Sequence, residues 1–84
     1  MINKLKLRRK AYGYTQEELA YMIGVRRQSI TRIENQTYMP TVKLAAKIDF
    51  ILGGLRSPNF MLSDEEIAEL VQRMNDIYVK HFPE

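Results

Sequence analysis

Residues 15–35, "TQEELAYMIGVRRQSITRIEN", decide the fold. Thr15 followed three residues later by Glu18 is the signature of a capped helix start, in which hydroxyl and carboxylate each satisfy a backbone N–H that the first turn leaves open. Leu19, Ala20 and Ile23 then recur at helical spacing. Gly24 interrupts the run. A glycine there permits the positive φ that turns one helix sharply onto the next, and Val25 is the apolar residue that tucks into the turn. Ile30 and Ile33 mark the buried stripe of a further helix from about Arg27 to Asn35. Two short helices joined in this way form a helix-turn-helix. The second projects Arg26, Arg27, Gln28, Thr31 and Arg32 from its solvent face. Arginine can bond bidentately to guanine in the major groove, and glutamine to adenine.

Upstream, residues 3–12 read as a basic helix with Gly13 as its stop. Downstream, "NQTYMP" (residues 35–40) is a loop, because Pro40 bars a continuous helix. Thr41 can cap a fourth helix whose Val42, Leu44, Ala45, Ile48, Ile51 and Leu52 point inward. "GGLRSPN" (residues 53–59) is a connection, its glycine pair a hinge rather than a phosphate loop, which would need further glycines and a lysine. Ser63 with Glu66 makes a second capping box, with acid in the first turn as the helix dipole favours. Ile67, Leu70, Val71, Met74, Ile77 and Tyr78 continue that helix to about residue 80. The pattern predicts an all-α fold of five helices, divided into residues 1–53 and a C-terminal extension over 54–84 with an amphipathic helix.

A chain of 84 residues holds one small core, burying only about 60–65% of the surface that its unfolded form exposes. No cysteine is present, so disulfides and thiolate metal sites are excluded. The longest apolar runs, such as "IDFIL", are too short to cross a bilayer. "MINKLKLRRKAYGY" lacks an apolar signal core, so the expected location is the cytoplasm. The net charge of +3 conceals an asymmetry. Residues 1–52 carry ten Lys or Arg against four Asp or Glu, whereas residues 53–84 carry three against six. The basic part suits a polyanion.

With these residues in place, the sequence resembles the DNA-binding domain of the Cro/CI (XRE) repressor family. The shared features are "TQEELA", "GV.RQSI..IE", a proline-threonine before the fourth helix and "LA.KI...LG", in order and spacing over residues 3–53. The resemblance implies a lambda-repressor-like domain that regulates transcription, as a repressor, by binding double-stranded DNA. It places Arg27, Gln28, Thr31 and Arg32 against base edges. Thr15, Gln16, Arg26, Asn35, Tyr38 and Lys43 fall at phosphate-contacting positions. Glu34 matches an acid that pairs with an arginine of the first helix, either Arg9 or Arg8. Three details depart from the family. Gln36 stands where a glycine is usual, so Asn35 is expected in the left-handed conformation. Arg8 occupies a usually apolar position, with Leu7 one place early. The tail after Gly53 is not the family's short closing helix.

No catalytic constellation emerges, and the sequence predicts neither an enzyme nor a cofactor. His81 is the only histidine and lacks companions at metal-ligand spacing, so it reads as an ordinary exposed residue. The acids of residues 64–69 read as a helix start. The C-terminal stripe either covers the core or pairs with its copy in a homodimer, for which Phe60, Leu62, Ile67, Leu70, Met74, Ile77 and Tyr78 are the candidates, with Met61 and Phe82 adding apolar surface. The rival to DNA binding is a protein-interaction module such as an antitoxin, engaging its partner through the C-terminal helix. Three arginines and no acid on the recognition face favour DNA.

Overall fold

The computed structural model describes residues 4–53 and 62–82. Among these lie five helices and no strand: α1 (Leu5–Ala11), α2 (Gln16–Ile23), α3 (Arg27–Glu34), α4 (Val42–Leu52) and α5 (Asp64–His81). The all-α reading holds, and each interior boundary falls within a residue or two of the sequence signal that predicts it. Phe60 and Met61, two of the residues weighed for dimerisation, lie outside the described residues.

Capping explains the helix starts. Thr15 and Ser63 both close reciprocal capping boxes, with Glu18 and Glu66 returning to their backbone N–H groups at 2.9 Å. Thr41 accepts from the Leu44 N–H and starts α4. Gly24 ends α2 in the left-handed region at φ +77°, while the Val25 N–H returns to the Ala20 carbonyl and its side chain packs on the core. The end of α3 corrects an expectation: Asn35 keeps φ −85°, and Gln36 is the left-handed residue, at φ +62°. The Gln36 N–H reaches the Ile33 carbonyl and the Thr37 N–H the Arg32 carbonyl, which closes the helix as a glycine would. Gln36 bears the Cβ strain that the family's glycine avoids, about 1–2 kcal/mol.

The core gathers Leu19, Met22 and Ile23 of α2, Ile30 and Ile33 of α3, Ile48, Ile51 and Leu52 of α4, and Leu70 and Ile77 of α5. Leu5 and Arg9, one turn apart, are the inward side of α1. Leu7 faces solvent, so the one-place shift of the apolar residue does not alter the packing. Arg8 turns instead to α4, where it bonds Asp49 at 3.0 Å and approaches the Leu52 carbonyl. Val42 is a second correction: it is exposed, and Ala46 takes the buried place that the spacing had given to it. Val42 sits in the first turn of α4, beyond the edge of what α4 covers.

The fifth helix is tied to α2 along its length. Arg73 donates to the Tyr21 carbonyl at 2.7 Å and lies over the Tyr21 ring, and the Tyr21 hydroxyl donates to Asp76 at 2.6 Å. His81 is therefore not the unengaged residue that the sequence suggests. Its Nε2 lies 2.7 Å from Glu18 Oε2, with Lys80 Nζ at 3.3 Å from the same oxygen. A carboxylate can only accept, so Nε2 carries the shared proton. Burial pushes the Glu18 carboxyl up, but the Thr15 N–H, Lys80 and His81 together hold it below its ordinary 4.5. A carboxylate whose folded pKa lies below its unfolded value stabilises the fold above the unfolded pKa, and that contribution disappears as pH falls through the folded one. Acidification from about pH 5 to about pH 3 is therefore expected to destabilise the native protein more than Glu18→Gln. Urea melts along that range check it, and parallel losses in the two proteins would contradict the assignment.

Candidate nucleic-acid interface

The polar face of the motif rests on a buried pair. Arg9 Nε donates to Glu34 Oε2 at 2.7 Å and Nη2 to Oε1 at 3.2 Å, while Nη1 donates to the Tyr14 carbonyl at 2.8 Å. The side chains are 8% and 3% exposed. Of the two arginines open for this role, Arg9 takes it and Arg8 goes to Asp49. Burial would raise the Glu34 carboxyl, but the hydrogen bonds of Arg9 and Gln16 outweigh it and hold Glu34 below its ordinary value. This pair bolts the C-terminal end of α3 to α1 and to the turn that leads into α2.

Gln16 fastens the other end of the motif. Its Nε2 donates to Glu34 Oε1 at 2.9 Å, and its Oε1 accepts from the Thr31 hydroxyl at 3.2 Å and from Arg27 Nε at 3.4 Å. Thr31 lies equally close to the Arg27 carbonyl. Gln16 and Thr31 are thus engaged within the protein and half-buried, knitting α2 to α3. Arg27 is exposed and held by a solvated pair with Glu17 at 3.3 Å, a contact worth well under about 1 kcal/mol.

Gln28 and Arg32 differ from these. Both are exposed, they sit one turn apart on α3, and neither side chain has a hydrogen bond or ion pair among the described residues. Arg26, at the N-cap of α3, makes no side-chain cap and is likewise exposed. An open cleft of about 570 Å³ runs between α1 and the start of α2, lined by Lys10, Thr15, Gln16, Glu17 and Arg27 but not by Gln28 or Arg32. The N-terminus of α2 opens beside it, where backbone N–H groups and the helix dipole favour an anion. Asn35 is exposed at the end of α3, and exposed Tyr38 rims a separate apolar cleft with Leu5, Met39 and Pro40. Lys43 is exposed but paired with Glu66 at the start of α5, at 3.2 Å. The backbone N–H of Ser63 and the ammonium of Lys43 hold the Glu66 carboxyl below its ordinary value.

The structure leaves Arg26, Arg27, Gln28 and Arg32 exposed along α3 and its N-cap, ties Arg27 to Gln16 of α2, and sets Tyr38 on the flanking loop and Lys43 in the first turn of α4. What sequence reasoning misses is the competition for these groups. Lys43 and Gln16 already have protein partners, supplied by Glu66 and by α3, which are distant in sequence. Of the seven dimerisation candidates, Leu62, Leu70 and Ile77 are buried in the core of the chain itself, and Ile67 and Met74 pack against it. Tyr78 remains exposed. Among the described residues no helix is long and apolar enough to cross a membrane, and no His, Asp and Glu cluster is suited to a metal.

Comparison with known proteins agrees with this architecture. The helix-turn-helix family HTH_3 matches residues 5–53, which end at the glycine that closes α4. An uncharacterized HTH-type transcriptional regulator of Archaeoglobus fulgidus is 39% identical over 67 residues, 80% of this chain and 96% of the relative. One from Methanocaldococcus jannaschii is 44% identical over 66 residues, 79% of this chain and all of the relative. Another, YgzD of Bacillus subtilis, is 46% identical over 48 residues, 57% of this chain and 73% of the relative. No solved structure matches. Since the first two relatives are matched over nearly their whole length, and the family spans all four helices around the glycine turn, the chain belongs to the HTH_3 helix-turn-helix family of Cro/CI-type transcriptional regulators.

Proposed function

We propose that the protein is a sequence-specific double-stranded DNA-binding regulator, a cytoplasmic repressor that acts as a homodimer and reads the major groove with α3. The observation that carries this reading is the state of Gln28 and Arg32. On a helix where Arg27 and Thr31 are bonded within the protein, these two are exposed, unpartnered among the described residues and one turn apart. They have the chemistry to bond adenine and guanine edges. Arg26, with Thr15 and Gln16 at the N-terminus of α2, supplies phosphate contacts that fix register, so affinity falls as salt rises. The relatives' description as HTH-type transcriptional regulators supports the same reading.

Selection of binding sites from a random duplex library with the purified chain is the test, followed by titrations of variants on the selected site. Gln28→Ala and Arg32→Ala are each expected to cost about 1–3 kcal/mol and to relax the preference at the base pairs they read. Gln16→Ala is expected to weaken all sequences alike, because it removes a brace between α2 and α3 along with a phosphate-facing group. Unchanged base preference in both α3 variants would refute the assignment of the reading face. A folded protein that enriches no site would refute DNA reading altogether.

A further inference from the structure

DNA reading by α3 leaves the apolar cleft unused. It has a volume of about 550 Å³ and opens between the start of α1, the loop after α3 and the middle of α4, within the roughly 300–1,000 Å³ of small-molecule sites. Leu5, Ile33 and Ile48, all buried members of the core, line its depth. Tyr38, Met39 and Pro40 line it from the loop and Ala45 from α4. Met39 is 75% exposed, more than any other large apolar side chain described. An unbranched, polarizable side chain at that place can fold over guests of different shape. The polar groups of the cleft are unevenly engaged. Asp49 is bonded to Arg8, and the Thr37 hydroxyl donates to the Arg32 carbonyl. The Lys4 ammonium and the Tyr38 hydroxyl are exposed and have no partner among the described residues. Lysine can only donate and a tyrosine hydroxyl can, whereas the one carboxylate of the lining is already paired.

We propose that this cleft binds a small amphipathic carboxylate, with an apolar body about the size of two fused aromatic rings, and that its occupancy weakens DNA binding. The body covers Leu5, Ile33 and Ile48 and is capped by Met39, and the carboxylate accepts from Lys4 and Tyr38. Charge selects an acid. A cation would meet Lys4 and Arg8, and a neutral body would leave both free donors unused. The link to DNA rests on the proposed function above. Tyr38 falls at a phosphate-contacting position of the family pattern, and one hydroxyl proton cannot serve a ligand and the DNA backbone at once. A bound carboxylate also sets a like charge beside the phosphates. Ile33, which lines the cleft, belongs to the same helix as Gln28 and Arg32. Ligand and DNA therefore oppose each other, by the same factor in either direction.

The test is titration of the full isotope-labelled chain with naphthoate, and with neutral naphthamide as its isostere, followed by backbone amide resonances. Saturable shifts are expected at Thr37, Met39, Ala45 and Ile48 and not at Lys10 or Gln28, with a naphthoate dissociation constant on the order of 0.1–1 mM. Lys4→Gln should weaken naphthoate about threefold and leave naphthamide unchanged. Met39→Ala should weaken both. Lys4 and Met39 are exposed, so neither variant endangers the fold. Saturating naphthoate should lower affinity for the selected duplex about fivefold or more. Met39→Ala should keep its affinity for the duplex and need more naphthoate for the same response. No saturable shift up to about 10 mM, or equal weakening of both compounds by Lys4→Gln, would overturn the ligand site. Saturable shifts with unchanged duplex affinity would overturn the link to DNA. A chain that takes naphthoate in this way but enriches no duplex would refute DNA reading and the link with it, while the ligand site stands.

Discussion

Replacing Glu34 with alanine is expected to destabilise the protein by about 3–5 kcal/mol, because it leaves the Arg9 guanidinium buried without its counter-charge. A chain of 84 residues has in total only about 4–12 kcal/mol of stability, so this variant sits near the edge of folding. Each kcal/mol lowers the melting temperature of a domain this size by about 4–8 °C. The loss does not measure the worth of the pair, since forming it also requires two charges to leave water. Replacing both partners by apolar residues, Arg9→Met with Glu34→Leu, is therefore expected to recover much of the loss. Gln16 and the Tyr14 carbonyl then lose a partner each, so recovery stays incomplete. Urea melts of the two single variants and the double variant provide the cycle. Single losses below about 1 kcal/mol would mean that the pair is solvated, and the buried contact between α1 and α3 would be refuted.

The sequence foretells this pair only through a family pattern, and the physical reason is distance along the chain. Local signals are legible because they act over three or four residues: Thr15 with Glu18, Ser63 with Glu66, Thr41, and the glycine that turns α2 onto α3. The buried stripes of α2 and α3 follow from the same short periods, as do Leu70 and Ile77 of α5, whereas Val71 and Tyr78, which the same period includes, are exposed. Contacts between helices carry no such mark. Nothing near Arg8 points to Asp49, 41 residues away, and nothing near His81 points to Glu18, 63 residues away. The same limit touches the candidate interface. Periodicity puts Gln16, Gln28 and Lys43 alike on solvent faces, but Glu34 and Glu66 bind the first and the last. Gln28 has no such acid bonded to it among the described residues. Two departures have other causes. Val42 follows the helical period but lies beyond the covered part of α4, and Gln36 adopts a conformation that propensity assigns to Asn or Gly because the closing hydrogen bonds of α3 require it there.

Ile30→Ala is expected to cost about 2–5 kcal/mol, more than a helix of eight residues can absorb. An isolated segment of this length does not hold helical structure in water, so α3 exists because Ile30 and Ile33 anchor it to α2 and the core. Ile30 is one of the largest side chains wholly removed from solvent. Truncating it leaves a cavity under the middle of the helix that carries Gln28 and Arg32. Ile30→Val, which keeps most of the volume, should cost only about 0.5–1.5 kcal/mol. Val42→Ala is the matching control: the sequence period places Val42 inward, the structure places it in solvent, and its loss should stay within about 0.5 kcal/mol. Denaturant midpoints at constant slope decide among the three. If Val42→Ala cost as much as Ile30→Ala, the inward face of α4 would have to be redrawn. If Ile30→Ala were nearly neutral, α3 would not be fixed by its apolar stripe, and a rigid reading helix would lose its physical basis. With that loss, the division of labour on α3 is structural: Ile30, Ile33 and Glu34 hold the helix, while Gln28 and Arg32 stay exposed and make no hydrogen bond or ion pair among the described residues.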